Sequence, residues 1–186
     1  EGTMTRTIGL RTFFAAALAL LLPAAVLAQL PPAAEVVPAG FTVTGERDLG
    51  GTKLIEATKP NENFPKGFLD HGIKLQIGWQ NSPAADMILG MIAQQPEAAA
   101  EVSPGTMIST EPCGKESYRG GILLCQKVTM PYIGSGKAEP LVTWRVGWTG
   151  KGQDGLVSVS VDFLYGSKET AMAWIDAVIP KITKLD

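Results

Sequence analysis

Four stretches of the chain alternate apolar and polar residues with a period of two. Ile73 to Gln80 sets Ile73, Leu75, Ile77 and Trp79 against Lys74, Gln76, Gly78 and Gln80. Leu141 to Thr149 sets Val142, Trp144, Val146 and Trp148 against Thr143, Arg145, Gly147 and Thr149. Leu156 to Tyr165 sets Val157, Val159, Val161, Phe163 and Tyr165 against Ser158, Ser160 and Asp162. In Gly121 to Met130, Ile122, Leu124, Val128 and Met130 oppose Leu123, Cys125, Lys127 and Thr129. Alternate side chains on a strand point to opposite faces, so each segment reads as a strand with one apolar and one largely polar side. Thr52–Thr58 and Thr106–Thr110 read as further, shorter strands. Gly150 to Gly155 contains Gly150, Gly152 and Gly155 and suits a hairpin loop.

Two stretches follow the helical period instead. Ser82-Pro83 offers a cap and a first-turn proline. Ala84, Met87, Ile88, Met91, Ile92 and Gln95 then fall at helical spacing, which predicts a helix over 83–94, ended or kinked by Pro96, with Glu97 to Val102 read as a continuation of a turn or two. Ser167 caps a final helix with the stripe Ala171, Trp174, Ile175, Val178, Ile179 and Ile182. Pro180 removes a backbone donor and is expected to loosen the last turn.

Half-apolar strands and two amphipathic helices predict an α+β fold. The expected form is an antiparallel sheet of about five to six strands with both helices packed on one face, a two-layer sandwich. The order of strands, one helix, a strand meander and a C-terminal helix resembles that of PsbP/Mog1-type domains. The resemblance is one of element order and implies nothing about function.

The N-terminal region follows neither period. Arg6 and Arg11 precede an unbroken apolar run, Phe13 to Leu22, and Val26-Leu27-Ala28 closes the segment with short side chains at the positions a signal peptidase reads. Residues 1–28 are therefore expected to be a cleavable secretory signal peptide, 29–40 a Pro/Ala-rich extended tether, and 41–186 a single domain. The run to Ala28 contains Pro23 and falls short of the roughly 20 residues that span a bilayer. The product is expected to be periplasmic or secreted, with no stable membrane insertion after cleavage. Cys113 and Cys125 then read as one disulfide, since an exported chain meets oxidising conditions.

Charge narrows the partners. The full chain carries a net −2, and loss of a leader holding Arg6, Arg11 and Glu1 makes it −3. A nucleic-acid binder shows a basic excess instead.

Motifs for catalysis are sparse. His71 is the only histidine, in Asp70-His71-Gly72, so a hydrolytic triad could form only through it. Ile133-Gly134-Ser135-Gly136 lacks the nucleophile-elbow spacing. There is no phosphate-loop or dinucleotide fingerprint, no CxxC pair and no set of zinc ligands. No cofactor or metal is called for. Trp79, Trp144, Trp148 and Trp174 all fall on apolar faces and read as core.

The polar side of the strands is the best candidate surface. On this reading it displays Lys74, Gln76, Lys127, Arg145 and Asp162, with Lys74, Lys127 and Arg145 as anchoring cations. The expectation is a non-enzymatic exported binding or accessory protein, its partner a protein or small ligand of the cell envelope. The alternatives are a small exported hydrolase using His71 and a structural or stress-related envelope protein without a ligand site.

Overall fold

The computed structural model describes residues 30–61, 72–97, 100–103, 108–134, 137–152, 155–164 and 167–183. The expected signal peptide, Asp70 and His71 lie outside these residues. The elements are α1 (Ala33–Val36), β1 (Thr42–Asp48), β2 (Thr52–Lys59), β3 (Ile73–Asn81), α2 (Ala85–Gln94), β4 (Glu101–Ser103), β5 (Ile108–Tyr118), β6 (Gly121–Gly134), β7 (Lys137–Gly152), β8 (Gly155–Leu164) and α3 (Lys168–Thr183). The strands form one sheet in the order β1-β2-β3-β8-β7-β6-β5-β4. Every neighbouring pair is antiparallel. Seven strands have seven residues or more and β4 has three, so the sheet is wider than the five to six strands expected.

The chain lays down β1 to β3 as a meander. It crosses through α2 to the far edge, then returns strand by strand until β8 closes against β3. The α+β reading stands on this sheet and its helices.

Register assigns the faces, because residues directly opposite across antiparallel strands point the same way. Three rows run across the middle of the apolar face. Ile55, Ile77, Val159, Trp148 and Leu123 form one, and Ala57, Leu75, Val161, Val146 and Cys125 the next. The third is Phe163, Trp144 and Lys127, with Ile73 on the same side of β3. All but Trp144 and Lys127 of these are buried. Helix α3 closes this face with Ala171, Ile175, Val178, Ile179 and Ile182 in the same core. Each such large side chain taken from water contributes roughly 1.5–3 kcal/mol. Ser167 caps α3 as expected, its hydroxyl accepting from the Thr170 N–H at 3.4 Å. Pro180 lies inside the helix without ending it.

Three expectations change. The segment 29–40 is not a free tether over its described part: Leu30, Ala33 and Val36 are buried in the core, and α1 packs on α3 and β1. Strand β1 lay in a stretch given no element, and Glu101–Ser103, which overlaps the stretch 97–102 read as a helical continuation, is extended. The helices also meet both faces. Glu116 and Tyr118 on β5 point to the apolar face and bond Lys168 and Asp176 of α3. Lys115, one position along, points the other way, and its ammonium donates to the carbonyls of Ala93 and Gln95 at the end of α2. Lys151 on β7 likewise reaches Asp86 of α2 at 2.6 Å. Helix α2 therefore stands on the polar side, beside β6 and β7. Ile122 and Leu156, whose positions in the register are on that side, are buried.

Candidate functional site

On the polar face, one row reads Thr58, Lys74, Asp162, Arg145 and Gln126 across β2, β3, β8, β7 and β6. The neighbouring row reads Glu56, Gln76, Ser160, Gly147 and Leu124. Four of the five candidate residues thus share one surface: Lys74, Gln76, Arg145 and Asp162. The fifth does not. Lys127 stands opposite Glu111 on one side and Trp144 on the other, in a row of the apolar face. Its assignment to the polar surface is corrected by the register. The cause is that β6 carries apolar residues on both sides, so alternation alone could not orient it.

The charges of this surface are largely matched internally. Arg145 donates to Asp162 Oδ2 through Nε (3.2 Å) and through a terminal nitrogen (3.0 Å). Arg47 pairs with Glu56 at 3.2 Å, and the Gln76 amide donates to the other Glu56 oxygen at 3.3 Å. Lys74 and Gln76 are exposed, and Lys74 has no described carboxylate within ion-pair distance. Asp162 Oδ1 is buried and takes no described hydrogen bond. The result is a flat, mixed-charge surface over β2, β3 and β8, bounded by α2 on the β6–β7 side.

Cys113 and Cys125 are joined, with Cα atoms 5.0 Å apart. The bond ties β5 to β6 beside the bulge between Pro112 and Gly114. In the chain-entropy account, closing a loop of this size contributes about 3 kcal/mol. Trp79 and Trp148 are buried, while Trp144 and Trp174 are partly buried against the same cluster. Trp174 takes edge contacts from Phe41 and Phe163 at 5.5 and 5.8 Å.

A second feature was not anticipated. A cleft of about 350 Å³ lies between Leu89 of α2 and the β5–β6 turn at Arg119-Gly120. Arg119 has φ 44° and Gly120 has φ 71°, the backbone of a two-residue hairpin turn that normally favours Asn-Gly. The Arg119 Nε bonds Asp176 at 2.9 Å, and Tyr118 donates its hydroxyl proton to the same carboxylate at 2.8 Å. The Tyr118 hydroxyl, and then the Asp176 charge, hold the Arg119 guanidinium above its ordinary pKa. The sequence signal was present in Tyr118-Arg119-Gly120-Gly121 between two strand-like runs, but Leu89 is far away along the chain.

Among the described residues, no group of three or more His, Cys, Asp or Glu is placed to hold a metal ion. No described helix is long and apolar enough to cross a membrane. No family model matches the chain, and no curated protein and no solved structure does.

Proposed function

We propose that the chain is an exported, non-catalytic binding protein that docks a protein partner of the cell envelope on the open half of its polar sheet face. One observation carries this reading: Lys74, Gln76, Asp162 and Arg145 share a face that α2 leaves open over β2, β3 and β8. Fixed cross-strand pairs such as Arg145–Asp162 hold these groups in place, which reduces the ordering cost of binding. Because Arg145 and Arg47 are already matched by carboxylates, the surface suits a partner of interspersed charge rather than a polyanion. Export rests on the leader-like N-terminus, and the disulfide is compatible with it.

Lys127 provides an internal control, since it is the candidate cation on the other face. Capture from an envelope extract is expected to be lost with Lys74→Glu combined with Gln76→Glu, and kept with Lys127→Gln. Capture that survives the first pair, or that the Lys127 change abolishes, contradicts the assignment.

A further inference from the structure

We infer that cleavage after Ala28 has to precede folding, because the folded domain shields its own processing site. The chain then crosses the membrane and loses its leader while unfolded, and closes its core afterwards. This order rests on the export half of the proposed function and not on the docking face.

The fold begins almost at the cut. Only Gln29 separates the expected cleavage point from Leu30. Leu30 is 5% exposed and belongs to the main core. Two residues of fully extended chain span at most about 7 Å. A signal peptidase reads the side chains three and one before the bond, here Val26 and Ala28, and has to enclose the chain around it. With Leu30 docked, the domain stands inside that reach.

The segment after the cut has no slack to offer. Pro31 and Pro32 fix two successive φ angles. Ala33 and Val36 of α1 are buried in the same core as Leu30. The Val37 N–H donates to the Ala33 carbonyl at 2.9 Å, and Phe41 meets the Trp174 ring edge-on at 5.5 Å. Leu30, Ala33, Val36 and Phe41 thus pin the stretch between the cut and β1.

The partners of α1 set the timing. It packs on β1 and on α3, and α3 is the last element of the chain. The shield is therefore incomplete until the C-terminal helix has arrived, which leaves the bond open throughout translocation. Once α3 has docked, cleavage requires α1 to leave it, and the rate follows the population in which it has done so.

The test incubates full-length chains with purified signal peptidase in detergent and follows the new N-terminus at Gln29 by intact mass. Circular dichroism establishes which chains are folded. Three are compared. The first is the refolded wild type. The second carries a flexible insert of about eight Gly and Ser residues between Gln29 and Leu30. The third combines Ile77→Asp with Ile175→Asp, which buries two unpaired charges and prevents folding. The insert and the core-broken chain should be cut at similar rates, and the refolded wild type about a hundredfold slower or more. A refolded wild type cut as fast as the insert overturns the inference and leaves the leader reading intact. An insert cut as slowly as the wild type also overturns it, since the anchors would then not be the shield. If the core-broken chain is not cut at all, the leader reading fails and the inference falls with it.

Discussion

Arg145 stands directly across from Asp162 on neighbouring strands, and its guanidinium donates twice to a single carboxylate oxygen. The side chains are 47% and 34% exposed, so water screens the pair. Pairs of this kind contribute about 0.2–1 kcal/mol. A double-mutant cycle with Arg145→Ala and Asp162→Ala should return a coupling in that range by urea denaturation, shrinking in high salt. A larger, salt-insensitive coupling would mean that the pair is enclosed rather than open to solvent.

Gly121 and Gly150 face each other on β6 and β7, beneath the ring of Trp148. A Cβ at Gly121 would come within 2.6 Å of the indole, and one at Gly150 would also collide with it. Trp148 is buried and hydrogen-bonded, so it cannot easily move aside. Gly121→Ala should therefore cost about 1–3 kcal/mol, the usual penalty of overpacking. Gly90 lies within α2 with open space at its Cβ position. Gly90→Ala should stabilise the protein by roughly 0.5–1 kcal/mol. Thermal or urea unfolding of the two variants should move in opposite directions.

Strands β3, β7 and β8 and helix α3 were legible because each has one buried side and one solvated side, which is what periodicity reports. Strand β1 was not, since an edge strand with Val43, Glu46 and Arg47 all exposed carries no apolar face. The orientation of β6 was hidden because Ile122 and Leu124 point towards the side of α2 while Leu123 and Cys125 point into the main core. Only its pairing with β7 shows this. Four of the five surface candidates share one face of the sheet, since β3, β7 and β8 orient themselves. Lys127 was misplaced with β6.

Leu30, Ala33 and Val36 belong to the core, so these apolar side chains should matter. Val36 is fully buried against the core that α3 completes. Val36→Ala should lower stability by about 1–3 kcal/mol, as cavity-forming changes do. An exposed tether would show no effect, and urea denaturation distinguishes the two.

Glu169 lies in the first turn of α3. A hydrogen bond from the Ser167 hydroxyl, then its own backbone N–H, holds its carboxyl below the ordinary glutamate range. A carboxyl depressed in the folded state adds stability that is present above its unfolded pKa and lost as pH falls through the folded value. Wild-type stability should thus decline across the acidic range at and below the usual glutamate pKa. Glu169→Gln should flatten that part of the profile and leave the slope above it unchanged. An identical acid limb in the variant would show that this carboxyl does not contribute.

The central claim is that one face of the sheet docks a partner and the other is core. Lysine acetylation, read residue by residue with and without the captured envelope partner, tests it most directly. Lys74 should be strongly protected in the complex, with Lys127 modified at the same rate in both states. Equal modification of Lys74 in both states, or protection confined to Lys127, would contradict the account.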